Sequence, residues 1–212
     1  MVINRVRENR GSARPPTDIM TAAAAGWVGI LGGSLWTAAI ALEYSRHLQP
    51  PADGWLFYAD QLTFAAALAC WILAILGLRR AHVAGEGRSR HFLSAWASGY
   101  VLVVIGSIAS LVIHAFVSTS DAVYESNPLQ PIGGLVAIVA ALGAGVAVAR
   151  AGRLDSWRRW VVLGFAVYVF GALFVPLFLG AGPNVVTETI WGLWWVAIGA
   201  ALVVEGRSPS IR

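Results

Sequence analysis

Glu43, Asp60, His114 and Glu188 are the side chains with which this sequence could do chemistry, because each borders or interrupts a long apolar run, as His114 does in LVIHAFV over residues 111–117. Carboxylates and an imidazole can bind a cation, relay a proton or ligate a metal such as Zn or Mn. A charge inside hydrocarbon costs roughly 2.5–3.5 kcal/mol on insertion scales, so such groups normally face a cavity, a partner or the membrane surface. Helical spacing puts each on a face of small or polar residues. His114 follows Ser110, Ser107 and Gly106; Glu43 follows Ala39, Trp36 and Gly32; Asp60 precedes Thr63 and Ala67; Glu188 precedes Gly192, Trp195 and Gly199. With Gln61, Gln130 and Tyr58 nearby in sequence, they form the candidate ligand-binding set. Two readings stand. In one, the set lines an outward-facing polar chamber for a cation, a metal or a protonated solute. In the other, the groups are hydrated at headgroup level, with Asp60 and Glu188 placed favourably at helix N-termini.

The elements that must position them are membrane-spanning helices. Of 212 residues 58% are apolar and 12% charged, about half the charge of a soluble domain. Crossing a bilayer takes about 20 apolar residues in a helix, and six runs qualify: residues 19–44, 56–78, 92–117, 132–149, 160–180 and 185–204. Strands of a membrane barrel would be about 10 residues long and alternating, which these are not. The expected fold is therefore an all-α integral membrane bundle of six transmembrane helices. Its parts are an N-terminal tail at 1–18, a six-span domain at 19–205 and a C-terminal tail at 206–212.

Sidedness follows from arginine, the only strongly basic residue type used. Arg5, Arg7, Arg10 and Arg14 precede the first run; Arg79, Arg80, Arg88 and Arg90 separate the second from the third; Arg150, Arg153, Arg158 and Arg159 separate the fourth from the fifth; Arg207 and Arg212 follow the sixth. Only Arg46 falls on the other side. Cytoplasmic loops are the basic ones, so both termini are expected in the cytoplasm, in a bacterial inner membrane. The first 18 residues are expected to be a cytoplasmic tail, not a cleaved signal peptide. Counted from residue 92, His114 then sits about 33 Å along its helix, near the outer boundary. The formal charge of +4 needs no nucleic acid to explain it.

Internal similarity suggests three consecutive helical hairpins, at about 19–80, 92–150 and 160–205. GWVGILGGS from Gly26, GYVLVVIGS from Gly99 and GFAVYVFGA from Gly164 share glycine, aromatic, five residues, glycine, then a small residue. IGGL from Ile132 resembles IWGL from Ile190. Pseudo-threefold symmetry is the sharper expectation; six helices without symmetry is the plainer one. Small residues four apart allow close helix contact in lipid, which marks Gly133, Ala137, Ala141, Gly145 and Ala149, and also Gly29 and Gly33. Pro176 is expected to bend the fifth span. Phe170, Phe174 and Phe178, and the tryptophan-rich WGLWW from Trp191, are expected to serve packing or anchoring.

Catalytic signatures are missing. There is no HExxH or GxSxG, and without lysine no Walker phosphate loop. Cys70 is the single cysteine, which rules out an intrachain disulfide or a CxxC site. His47, His82 and His91 fall on opposite sides of the bilayer and do not suggest paired haem ligation. The sequence thus points away from an enzyme and names no cofactor or metal. It leaves a transport or solute-binding membrane protein, with a non-catalytic structural or regulatory subunit as the alternative. Its partners would be the lipid bilayer and either further copies of the chain or another membrane subunit.

Overall fold

The computed structural model describes residues 17–47, 55–85, 87, 89–117, 127–181 and 184–207. Within the helices below, the side chains of residues 17–21, 46, 47, 114–117, 177, 178 and 207 lie outside the description. All the regular structure described is helical. It comprises α1 (Thr17–His47), α2 (Trp55–Arg80), α3 (Ser89–Val117), α4 (Leu129–Ala151), α5 (Arg158–Val169), a π-helical turn (Phe170–Phe174), α6 (Val175–Phe178) and α7 (Val185–Arg207). Five of these, α1 to α4 and α7, are long and apolar enough to cross a membrane.

The expected fifth span is not one α-helix. Its chain stays helical from Arg158 to Phe178, but the π turn divides it. Pro176 supplies a reason, because its ring has no N–H and would press on the carbonyl one α-turn earlier. Widening the preceding turn to i→i+5 bonding relieves that contact, and π-bulges commonly arise in this way inside longer helices. Phe170 and Phe174 stack across the turn with centroids 5.7 Å apart, and Phe170 is exposed.

Each long helix packs against its chain neighbour, and α7 returns to pack against both α5 and α1, which closes a ring in chain order. Hydrophobic transfer does little to drive such packing in lipid, where association depends on close van der Waals fit. The α1–α7 seam achieves that fit through glycine. A Cβ at Gly33 would lie 2.5 Å from the Gly192 carbonyl oxygen, and one at Gly26 would lie 2.6 Å from that of Gly199. The α3–α4 seam works likewise, with a Cβ at Gly99 falling 2.5 Å from the Ala137 nitrogen. Gly145 continues the α4 stripe against Leu163 of α5. At the same end as the arginine clusters, Arg158 Nη1 and Glu205 Oε2, 2.8 Å apart, tie the start of α5 to the end of α7.

The shared glycine pattern is used unequally. Gly26 and Gly33 meet α7, Gly99 and Gly106 meet α4, Gly164 meets the Trp194 ring, and Gly171 meets nothing within 4 Å among the described residues. The IGGL and IWGL segments are also offset in use: Gly133 contacts Gly99 while Gly134 faces open space, yet Gly192 is the aligned counterpart of Gly134 and contacts Gly33. These contacts do not follow a threefold equivalence.

Gly33→Leu is therefore expected to lower stability by more than about 2 kcal/mol, through overpacking at a backbone contact. Gly134→Ala, where the added methyl meets nothing, is expected to stay within about 1 kcal/mol of the parent or to gain from helix propensity. Thermal unfolding in detergent compares the two, and equal losses would show that the α1–α7 seam is not tight.

Candidate functional site

Three of the expected side chains come together. Glu188, in the first turn of α7, lies close enough to Glu43 of α1 and Asp60 of α2 to feel both charges. Local structure explains its placement. Asn184 and Thr187 form a reciprocal cap at the start of α7: the Asn184 N–H donates to Thr187 Oγ1 and the Thr187 N–H donates to Asn184 Oδ1, each at 3.0 Å. Two neighbouring helices then hold the same turn. Trp36 Nε1 donates to the Glu188 carbonyl oxygen at 2.9 Å, and the Tyr168 hydroxyl donates to that of Thr187 at 2.7 Å.

Asp60 is only 4% exposed, and Gln61 Nε2 donates to its Oδ2 at 3.3 Å. Ala67, two turns further along the same face, is fully buried. Tyr58 is 40% exposed and meets Phe57 edge-on with centroids 5.5 Å apart. His114 falls within α3, but its side chain lies outside the described residues. Among the described residues, no three His, Cys, Asp or Glu side chains are grouped so as to hold a metal ion. The carboxylates are within electrostatic reach of one another without forming a chelate.

Gln130 belongs to a different seam. Its Nε2 donates to Ser107 Oγ at 3.2 Å across the α3–α4 interface, and Gly106 leaves the room its side chain occupies. Asn127 completes this seam, donating through Nδ2 to the Gly106 carbonyl oxygen at 2.7 Å and to Ser110 Oγ at 3.0 Å, while its Oδ1 accepts from the Leu129 N–H at 3.1 Å. Ser107 and Ser110 are buried. Their shared face was legible as a small, polar stripe; the role of Asn127 was not, because it sits in a connection and gives no periodic signal.

The centre of the ring is aromatic. Trp71 and Trp195 stack with centroids 4.8 Å and planes 12° apart, and Trp36, Trp96, Trp191, Tyr100 and Phe165 pack around them. WGLWW therefore turns its tryptophans into the bundle: Trp195 is fully buried, and Trp191 and Trp194 pack against the core. Burial leaves an unexpected polar residue. Among the described residues, no well-formed hydrogen bond reaches the buried indole N–H groups of Trp71, Trp96, Trp191 and Trp195, although the Tyr100 hydroxyl lies beside the last three. Such groups are rarely left so, since an orphaned donor costs about 1–3 kcal/mol.

Asn127→Ala removes three hydrogen bonds at the mouth of α4 and is expected to cost about 1–3 kcal/mol, with faster amide exchange in the first turns of α4. Asn127→Asp retains the acceptor for the Leu129 N–H and is expected to fall between Ala and the parent. An alanine variant as stable as the parent would show that the seam is not held by Asn127.

No protein-family model, no curated protein and no solved structure matches this chain.

Proposed function

We propose that the chain is a six-span inner-membrane protein, with both ends in the cytoplasm, that takes a cation or a protonated small solute from the outer side at Glu43, Asp60 and Glu188. The observation that carries this reading is the approach of three carboxylates from three helices, one of them almost wholly buried. A bound cation offsets their mutual repulsion. The lack of a three-ligand metal group among the described residues favours a monovalent or organic cation held by charge. Gln61 extends the set through Asp60, and His114, at the same outer level in α3, is assigned to the approach. Tyr58 is given a supporting place at the rim, while Gln130 stays in the α3–α4 seam through its bond to Ser107.

The six-span count rests on the helical run from Arg158 to Phe178, which reaches about 30 Å at about 1.5 Å per residue and so matches the hydrocarbon thickness. Its sidedness rests on the arginines. Aromatic rings packed across the axis favour a site that binds and holds over an open channel.

Thermal unfolding of the detergent-purified protein in Na+, K+, guanidinium, tetramethylammonium and Mn2+ tests the site. At least one cation is expected to stabilise saturably, by about 2.7 kcal/mol at 100 times its Kd, and Glu188→Gln is expected to abolish most of that gain. Because the glutamine removes repulsion, the unliganded variant is expected to melt at or above the parent, which separates lost binding from misfolding. Stabilisation by none of the cations, or stabilisation unchanged by Glu188→Gln and Asp60→Asn, would favour a subunit without a ligand.

A cysteine introduced by Asn4→Cys tests sidedness. It is expected to resist an impermeant maleimide applied to the periplasmic face of intact cells. Rapid labelling there would invert the map and put the carboxylates on the cytoplasmic side.

A further inference from the structure

At the end of α7 opposite Glu188, the turn between α4 and α5 is held from inside. Leu154 of that turn is buried in the core. Arg158, whose side chain is 12% exposed, reaches Glu205 Oε2 at 2.8 Å and Asp155 Oδ2 at 3.9 Å. Its Nε donates to the Asp155 carbonyl oxygen at 3.3 Å. One arginine thus engages the carboxylates of Asp155 and Glu205, and the turn has its shape before anything binds to it.

Three other arginines are left facing out. Arg150, Arg153 and Arg159 are exposed, and among the described residues none of them pairs with a carboxylate. The Arg159 guanidinium carbon lies 5.1 Å from the centroid of the Trp160 ring, within cation–π range. Resting on a ring restricts the side chain while its N–H groups stay available, and a planar guanidinium matches the spacing of phosphate oxygens.

Apolar surface continues directly from these charges. Trp157 and Trp160 are 56% and 50% exposed, and Val167, two helical turns beyond Trp160 on the same face, is 56% exposed. Tryptophan favours the boundary between headgroups and hydrocarbon. A soluble anion would satisfy the arginines and leave this strip uncovered. A zwitterionic lipid would cover the strip but brings its own cation to the phosphate. A phospholipid of net negative charge meets both parts.

We propose that the α4–α5 turn binds an anionic phospholipid, whose phosphate accepts hydrogen bonds from Arg153 and Arg159 while an acyl chain lies along Trp160 and Val167 of α5. Arg150 adds attraction at the same end. The assignment depends on α5 lying in the bilayer; it does not depend on the carboxylate site or on which face of the membrane the arginines occupy.

Native mass spectrometry of the full chain, released from detergent after titration with phosphatidylglycerol or phosphatidylcholine of identical acyl chains, tests this. Phosphatidylglycerol is expected to form the first adduct at least about 5-fold more tightly, since one arginine beside an anionic membrane surface supplies about that factor. Arg159→Gln and Arg153→Gln are each expected to weaken that adduct about 5-fold or more, and Arg159→Lys, which keeps the charge and loses the planar fork, is expected to fall between. Arg80→Gln, an exposed arginine of the α2 end, is expected to change it less than 2-fold. All these side chains are at the surface, so unliganded thermal unfolding is expected to match the parent. Glycerol 3-phosphate, which has the phosphate and no chains, is expected not to compete at concentrations where the lipid binds. Equal affinity for the two lipids, or equal losses at Arg80 and Arg159, would reduce the effect to diffuse surface charge and overturn the proposal. Competition by glycerol 3-phosphate at equal concentration would overturn it in favour of a site for a soluble anion.

Discussion

Backbone contact between the first helix and the last is the constraint from which the rest follows. α1 and α7 approach until Gly33 lies against Gly192 and Gly26 against Gly199, a separation that any side chain would forbid. In lipid there is no large transfer free energy to pull helices together, so the fit of these surfaces must do it. Their contact joins the two ends of the chain and completes the ring begun by α1 to α5. It also brings Trp36 within hydrogen-bond distance of the Glu188 carbonyl oxygen. The carboxylate of that same residue is thereby fixed near those on α1 and α2.

Closing the ring creates an interior that has to be filled, and tryptophan fills most of it. Large rings cover the axis with few side chains and gain from tilted and stacked contact, but each indole brings an N–H into a place with few acceptors. Trp36 finds a carbonyl at the start of α7; among the described residues Trp96, Trp191 and Trp195 find none. The interior is therefore divided. One end carries three carboxylates, and its centre is filled by aromatic rings.

Much of the fold was legible in the sequence, and the reasons are physical. Apolar runs of about 20 residues specify helices in a bilayer because backbone groups must bond within the segment; α1 to α4 and α7 follow. The stripe Gly133, Ala137, Ala141 and Gly145 did become an interface, since closeness in lipid needs small residues. The π turn before Pro176 was foreseen only as a bend, because proline indicates a lost hydrogen bond but not how the helix redistributes it. Faces of single helices placed Asp60 on a side with small residues, and it is buried, while periodicity could not show that Gln130 pairs with α3. WGLWW was read as packing or anchoring; nothing in its spacing revealed that the Trp191 and Trp195 N–H groups would be buried without a well-formed hydrogen bond among the described residues, a property of the assembled centre and not of one helix.

The convergence of Glu43 with Glu188 joins the ring closure to the proposed site, and a double-mutant cycle with Glu43→Gln and Glu188→Gln measures it directly. Stability is read by reversible unfolding in detergent at neutral pH and low salt, without added ligand. If the two carboxylates repel across the α1–α7 seam, the double variant gains less than the sum of the single gains, with a coupling of at least about 0.5 kcal/mol. Additivity within about 0.3 kcal/mol would mean that Glu43 of α1 and Glu188 of α7 stand apart, and would contradict the closed ring and the carboxylate site together.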